Sequence, residues 1–195
     1  MAKYGFFQYA PTFLFVVLVM IERWVYRTHH SYDPSQHYSR KTFDRYYFWI
    51  FGGVMFVDFF LGVLLSRFLS IERIPPGVAV AVGVLFFVFG YAIRLYAIQY
   101  LQSGFSVILR IEKGQQLVCS GPYKYVRHPS YSGGLLAVIG VGISSGYPPV
   151  MLLVALSTLF LQLKRIRSEE AILCAGFPEY EKYCHNTKKL IPFVL

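Results

Sequence analysis

The chain is a succession of long apolar runs separated by short polar segments. The five runs share a length of 16 or more residues and occupy positions 6–25, 46–69, 76–101, 129–144 and 147–163. Each of the first three has the roughly 20 residues that a helix needs to cross about 30 Å of hydrocarbon. Only Ser145 and Gly146 separate the last two runs, so this pair is typical of a tight helical hairpin. The pattern predicts an all-α polytopic membrane protein with about five transmembrane helices.

The composition supports an integral membrane protein. Hydrophobic residues make up 55% of the chain and charged residues 15%, with a mean hydropathy of +0.46. Soluble domains carry about 25% charged residues. The first run has only Lys3 before it and no small-residue cleavage site after it, which favours a retained helix over a signal peptide. We expect a single membrane-embedded domain over residues 1–195.

Lysine and arginine are distributed unequally between alternate polar segments. With five crossings and the N-terminus outside, the segments 23–45, 110–127 and 164–189 hold fifteen of them, and the external segments hold three. The positive-inside rule therefore predicts a cytoplasmic C-terminus. The net charge of +9 is then mainly a topological signal. The basic residues form no single stripe, so no nucleic-acid partner is expected.

A polar, glycine-bearing loop over residues 115–131 lies between the third and fourth runs. Its Ser120-Gly121-Pro122-Tyr123 sequence predicts a turn, and Pro129 predicts a helix start. A helix N-terminus offers free N–H groups and a positive dipole end, both of which suit a carboxylate. Ser130 and Tyr131 would add hydroxyl donors. The alternative is an interfacial anchor in which tyrosines join the aromatic belt, with Lys124 and Arg127 as flanking cations.

A charged segment follows the last apolar run and continues its helix. Arg165 and Glu169 are spaced i, i+4 and share a helix face. As a surface salt bridge the pair is in the less favourable order, since the acid should precede the base. A cation and a carboxylate at the membrane boundary could instead bind a zwitterionic ligand. Pro178 predicts the end of this helix, followed by a short amphipathic segment.

Ionisable residues also occur inside the apolar runs. Asp58 and Arg94 could pair with each other, which would make them structural, although intramembrane charges are in general candidates for function. Small residues on one face of the fourth run predict close helix packing; they are Gly133, Gly134, Ala137, Gly140 and Val141.

Cysteine and histidine spacing indicates no metal site. Cys119, Cys174 and Cys184 fall on the predicted cytoplasmic side, where thiols stay reduced, and their spacing fits no metal motif. His29, His30 and His37 are clustered without a cysteine or carboxylate at ligand spacing, so a solvated loop is preferred to a metal centre there.

Taken together, these motifs resemble the catalytic region of the isoprenylcysteine carboxyl methyltransferases, and the chain is similar in length to the smaller prokaryotic members. The matching pieces are Leu117-Val118, Ser120-Gly121-Pro122-Tyr123, Arg127-His128-Pro129-Ser130-Tyr131 with Gly133, and Arg165 with Glu169-Glu170 before Pro178-Glu179-Tyr180. The match covers nearly half the chain, and we expect the catalytic region over residues 94–185. Arg-His-Pro-x-Tyr alone also occurs in related phospholipid methyltransferases and, in looser form, in membrane sterol reductases.

The resemblance implies a cofactor and a set of site residues. The cofactor would be S-adenosylmethionine, with S-adenosylhomocysteine as product. It would be bound by the positions that match the family motif, namely Gln115, Gln116, Leu117, Val118, Tyr123, His128, Pro129, Ser130, Tyr131 and Glu169. Arg165 would lie at the methyl acceptor, so that Arg165 and Glu169 are the expected catalytic pair.

Two departures from the family pattern keep an alternative open. Gln115 stands where eukaryotic members often carry histidine, and the stretch between Glu170 and Tyr180 is one residue short of the commoner spacing. Arg167 and Glu170 could therefore take the roles given to Arg165 and Glu169.

The expected reaction is methylation of a lipophilic acceptor in the bilayer, with an isoprenylcysteine-like carboxylate preferred. Three alternatives remain open at this point. They are a phospholipid N-methyltransferase, a membrane oxidoreductase of the sterol-reductase type, and a non-catalytic membrane protein.

Overall fold

The computed structural model describes residues 9–28, 39–101 and 117–191 as a bundle of helices. In chain order the helices are α1 (Ala10–Thr28), α2 (Ser39–Phe68), α3 (Pro76–Leu101), a 3₁₀ turn (Gly121–Lys124), α4 (Pro129–Ser144), α5 (Pro148–Gly176) and α6 (Tyr180–Asn186). Among these residues the one β-type pairing is an isolated parallel bridge between Val126 and Lys188. The predicted all-α class is therefore confirmed for this part of the chain.

Prolines mark the starts of three helices. Pro76, Pro129 and Pro148 open α3, α4 and α5, where the missing N–H is no loss because the first turn has no intrahelical acceptor for it. Helices α3 and α4 have the predicted bounds. As predicted, α5 continues past its apolar run and ends before Pro178.

Among the described residues, three helices are long and apolar enough to cross a membrane: Trp49–Phe68 within α2, Pro76–Leu101 and Pro148–Gly176. Helix α4 is apolar but has only 16 residues. The structure thus supports a multi-pass membrane protein, and the count of about five crossings stays a prediction. Large apolar side chains such as Phe60, Leu85 and Phe160 are exposed on these helices, as expected of lipid-facing positions.

Helices α3 and α4 pack through glycines. A Cβ added at Gly90 would lie 2.4 Å from the backbone nitrogen of Ala137, and one at Gly133 would lie 2.5 Å from the carbonyl oxygen of Gly90. Gly83 and Gly140 repeat this contact two turns away, with corresponding distances of 2.6 and 2.5 Å to each other's carbonyl oxygens. The predicted close packing of the small-residue face of α4 is confirmed, because no side chain separates these backbones.

The α2–α3 connection contacts the turn between α4 and α5. The backbone N–H of Ile74 donates to the carbonyl of Gly146 at 2.9 Å, and Nε of Arg73 donates to that of Ser145 at 3.2 Å. Gly146 has a φ of 73°, a left-handed conformation that favours glycine in the predicted α4–α5 hairpin. The α2–α3 connection and this hairpin therefore meet at one end of the bundle, and the Gly121–Lys124 turn before α4 lies at the other.

Candidate active site

A chain of hydrogen bonds joins Arg165, Tyr131 and Glu169. Nε of Arg165 donates to the Tyr131 hydroxyl at 2.9 Å, and that hydroxyl donates to Oε2 of Glu169 at 2.8 Å. Arg165 is 7% exposed, whereas the side chain of Glu169 is 29% exposed. The structure thus places a buried guanidinium and a more accessible carboxylate on either side of one tyrosine hydroxyl.

His128 lies against the same tyrosine. The two rings meet edge to face, with centroids 5.6 Å apart, and the imidazole side chain is 3% exposed. Nδ1 lies 3.9 Å from Oε1 of Glu169, and Nε2 lies 3.4 Å from Oε1 of Glu170. Nε2 makes no hydrogen bond of acceptable geometry to any residue that the structure describes. His128 therefore contacts both carboxylates without being fixed by a hydrogen bond at that nitrogen.

Glu170 is held by cations outside α5. Nε of Arg127 donates to Oε1 of Glu170 at 2.9 Å, and Nζ of Lys189 lies 3.1 Å from its Oε2. Arg167 is exposed on the outer face of α5. The structure therefore connects Arg165 to Glu169 through Tyr131, and it pairs Glu170 with Arg127 and Lys189 and not with Arg167.

Residues 187–191 form a C-terminal strap across the start of α4. The amides of Arg127 and His128 donate to the carbonyls of Lys188 and Lys189 at 2.8 and 3.0 Å. Ser132 Oγ donates to the carbonyl of Leu190 at 2.5 Å. The guanidinium of Arg127 also donates to the carbonyls of Cys184 and Thr187. The strap thus fixes the His128 backbone, and sequence reasoning missed it because its partners lie about 60 positions apart.

The predicted turn forms, and glycine is required in it. Gly121 has a φ of 58°, and a Cβ there would lie 2.3 Å from Cζ of the Tyr100 ring. Tyr123 is buried; its hydroxyl donates to the carbonyl of Ala97 at 3.2 Å, and its own carbonyl accepts from the Tyr183 hydroxyl at 2.6 Å. Burial raises the pKa of both phenols well above the ordinary value, so both remain donors.

Only some of the remaining predicted cofactor positions lie within the described residues. Leu117 and Val118 are half-buried beside the turn, and Gln115 and Gln116 lie outside the described residues. Pro129 is buried at the first position of α4.

The first turn of α4 already uses some of the groups that were expected to serve a ligand. The amides of Tyr131 and Ser132 are not free, since both donate to the carbonyl of His128, at 3.0 and 3.1 Å. Ser130 Oγ accepts from a terminal nitrogen of Arg94 at 3.0 Å. The Tyr131 hydroxyl thus both accepts and donates within the protein, and the Ser130 hydroxyl accepts, because Arg94 and Arg165 reach this turn from α3 and α5.

The predicted pairing of Asp58 with Arg94 is wrong. A terminal nitrogen of Arg94 lies 2.7 Å from Oε2 of Glu22, and Asp58 accepts a hydrogen bond from Ser157. The reason is topological: α2 packs mainly against α5, whereas α3 packs against α4 and α1. Glu22 was missed as a partner, although it is the acidic residue that interrupts the first apolar run.

The three cysteines are free thiols. Within residues 9–28, 39–101 and 117–191, no group of three or more His, Cys, Asp or Glu side chains is placed to hold a metal ion. The three clustered histidines of the predicted solvated loop, at positions 29, 30 and 37, lie outside these ranges.

Comparison with known proteins finds relatives that share part of this chain. The cobalt-zinc-cadmium resistance protein CzcN of Cupriavidus metallidurans is 35% identical over 80 residues, which cover 41% of this chain and 37% of that protein. A probable protein-S-isoprenylcysteine O-methyltransferase of Oryza sativa subsp. indica is 33% identical over 123 residues, covering 58% of this chain and 61% of that protein. The chain thus spans less than two thirds of these relatives.

A solved structure has a similar fold. It is described as the eukaryotic intramembrane Ras methyltransferase ICMT, and the superposition has a TM-score of 0.59 at 24% identity, covering 82% of this chain and 55% of that one. At this identity the likeness concerns the fold. The family model of the isoprenylcysteine carboxyl methyltransferases (ICMT) matches residues 82–175, which include α4, the loop turn and the charged end of α5. The resemblance seen in the sequence is therefore confirmed: over residues 82–175 this chain matches the isoprenylcysteine carboxyl methyltransferase family.

Proposed function

We propose that this protein is an S-adenosylmethionine-dependent methyltransferase of the membrane that methylates a lipophilic acceptor, preferably at a carboxylate. The observation that carries the proposal is the Arg165–Tyr131–Glu169 chain of hydrogen bonds at the charged end of α5. It places a cation suited to an acceptor carboxylate beside an anion suited to a cationic cofactor. The family match over residues 82–175 supports the same reaction class.

The proposed roles follow from exposure and charge. Buried Arg165 orients the acceptor carboxylate, because a guanidinium can hold two carboxylate oxygens at once. Glu169, which is more accessible, contacts the cofactor. The cofactor site is completed by His128, Tyr131 and the loop residues that match the family motif, with residues 94–185 as the catalytic region of a single domain.

The proposed reaction requires that the acceptor and the methyl group be aligned and that water be excluded from the site. When bound, S-adenosylmethionine supplies a methyl group on a sulfonium, and the C–S electron pair returns to sulfur as the acceptor oxygen forms the new C–O bond. A carboxylate is already a nucleophile, so no general base is needed. Two opposite charges become two neutral products, and the exclusion of water therefore favours the transition state. Holding the reactants in line supplies much of the remaining acceleration.

A second candidate is methylation of a phospholipid amine. His128 favours it, because its ring lies beside Tyr131 and Glu169, and it is the nearest candidate base for the proton that an amine must lose. The two reactions are separated by incubating the protein with methyl-labelled S-adenosylmethionine and either native lipid extract or a prenylcysteine analogue. Alkali releases volatile methanol from a methyl ester, whereas an N-methyl product retains its label.

We expect S-adenosylhomocysteine to raise the Tm of the purified protein, because a ligand selective for the folded state must stabilise it. At a concentration about 100 times the Kd, the stabilisation is about 2.7 kcal/mol. NADPH serves as the control ligand. Stabilisation by NADPH and not by S-adenosylhomocysteine would assign the protein to the sterol-reductase type and end the methyltransferase proposal.

We expect the C-terminus and the site to face the cytoplasm and the N-terminus to face outward. The polar segments on the proposed inner side hold fifteen lysine and arginine residues, and those on the outer side hold three. Reporter fusions after Leu195 and after Ser35 should both report the cytoplasm. An external signal from either fusion contradicts a five-crossing arrangement.

A further inference from the structure

Helix α1 presents a carboxylate on the face that packs against the bundle. Leu14, Leu18 and Glu22 follow the i, i+4, i+8 spacing of one helix face, and Leu14 and Leu18 are buried in the apolar core. Glu22 is the next position of that face and lies against α3. It falls outside residues 82–175, over which the family model matches, so the family match assigns it no role.

Glu22 contacts two side chains of α3. Its Oε2 lies 2.7 Å from a terminal nitrogen of Arg94, and its Oε1 accepts a hydrogen bond from the Tyr91 hydroxyl at 3.0 Å. The side chains of Arg94 and Glu22 are only 15% and 26% exposed. The attraction in an ion pair withdrawn from water does little more than offset the cost of desolvation, and apolar residues of similar volume often stabilise a protein equally well. Stability alone therefore does not explain a carboxylate at this position.

Arg94 extends this contact to the first turn of α4. Its other terminal nitrogen donates to the carbonyl and to Oγ of Ser130, at 3.1 and 3.0 Å. Nε of Arg94 has no hydrogen-bond partner among the residues that the structure describes. The guanidinium is thus held at its two terminal nitrogens, at one by Glu22 and at the other by Ser130. Removing the Glu22 carboxylate would free one of the two ends that fix it.

The turn that Arg94 holds carries a group of the proposed active site. Ser130 is followed by Tyr131, whose hydroxyl is the centre of the site's chain of hydrogen bonds. We infer that Glu22 is a positioning residue for the reaction: it fixes Arg94, and Arg94 fixes the turn that carries the Tyr131 hydroxyl. The inference rests on the proposed function, because that hydroxyl belongs to the proposed site. Helix α1 is then part of the active unit although Glu22 touches no reactant.

The test measures kcat in Glu22→Gln, which keeps the shape of the side chain and removes its charge. The acceptor is whichever of lipid extract and prenylcysteine analogue the wild-type protein methylates. We expect kcat to fall about tenfold, because small displacements of positioned groups lower the rate strongly. A role confined to stability would instead lower the Tm and leave kcat unchanged at temperatures where the variant is folded.

The matched control is Asp58→Asn, which also neutralises a carboxylate held by a neighbouring helix. Asp58 accepts a hydrogen bond from Ser157. Ser157 precedes Arg165 by eight residues, which corresponds to about 12 Å along α5. Asp58→Asn should therefore keep kcat close to the wild-type value, whatever its effect on the Tm. The Tm shift with S-adenosylhomocysteine verifies folding in every variant.

A double-mutant cycle tests whether Glu22 acts through Arg94. Arg94→Lys keeps the positive charge, but one ammonium replaces the two terminal nitrogens that reach Glu22 and Ser130. In this background Glu22→Gln should lower kcat by less than about twofold further, because the contact through which it acts is already broken. If Glu22→Gln does not fold, Glu22→Asp takes its place, since it keeps the charge but shortens the reach by one methylene and should also lower kcat.

The outcomes separate this inference from the proposed function. The positioning role is overturned, and the methyltransferase proposal stands, if the Glu22 variant keeps the wild-type kcat, if Asp58→Asn lowers kcat equally, or if the substitutions at Glu22 and Arg94 lower kcat additively. If the wild-type protein methylates neither acceptor, the proposed function is wrong and the inference falls with it.

Discussion

The Arg165→Lys variant is expected to lose about a hundredfold in kcat while its affinity for S-adenosylhomocysteine changes by less than about twofold. Arg165 is buried, and its Nε donates to Tyr131 at 2.9 Å. Lysine keeps the positive charge but lacks the planar fork that holds both oxygens of a carboxylate. The acceptor would still be attracted, but its oxygen would no longer be aligned with the methyl group. Single-turnover kinetics with labelled cofactor measure the loss.

Glu169→Gln should fail in the opposite way. It removes the charge that faces the cofactor yet keeps an acceptor for the Tyr131 hydroxyl, so cofactor binding should weaken by about 1.5–3 kcal/mol.

The control for Arg165→Lys is Arg167→Lys, at an exposed position on the same helix, which should behave as wild type. If Arg167→Lys lost kcat and Arg165→Lys did not, the acceptor site would move to Arg167 and Glu170.

Most of the helical framework could be predicted from the sequence. The bounds of α3 and α4 agree with the apolar runs because prolines mark both starts and the polar composition changes abruptly at both ends. Helix α2 begins at Ser39, seven residues before its apolar run, because a helix can continue into water where hydropathy gives no signal. An apolar run indicates which part of a helix is apolar and does not indicate where the hydrogen bonds of the helix begin.

The motif residues could be predicted, but their partners could not. Spacing on one helix brings Arg165 and Glu169 to one face, so that pair was within reach of sequence reasoning. The partner of Arg94 was not, because Glu22 lies 72 positions away and the choice between Glu22 and Asp58 depends on which helices pack together. The salt bridges of Glu170 with Arg127 and Lys189 likewise depend on tertiary packing, because the position of the C-terminal strap determines them.

The Gly90→Ala variant is expected to be the most damaging single-methyl change in the bundle. The added Cβ would lie 2.4 Å from the backbone nitrogen of Ala137 and 2.7 Å from the carbonyl oxygen of Gly133. Backbone atoms cannot rotate away as a side chain can, so α3 and α4 must separate. We expect a cost of about 3 kcal/mol. For a chain of this size, that lowers the Tm in detergent by about 10 °C.

The same substitution at Gly52 of α2 is the matched control. Nothing lies within 4 Å of a Cβ added there, and alanine favours helix over glycine by up to about 1 kcal/mol, so Gly52→Ala should keep or raise the Tm. Gly90 is one turn before Arg94, whose terminal nitrogen donates to Ser130 at 3.0 Å. Separation of the helices should therefore also lower methyl transfer at temperatures where the variant is still folded. Equal Tm values for Gly90→Ala and Gly52→Ala would show that α3 and α4 are not in backbone contact, and the placement of Arg94 beside the first turn of α4 would have to be abandoned with that contact.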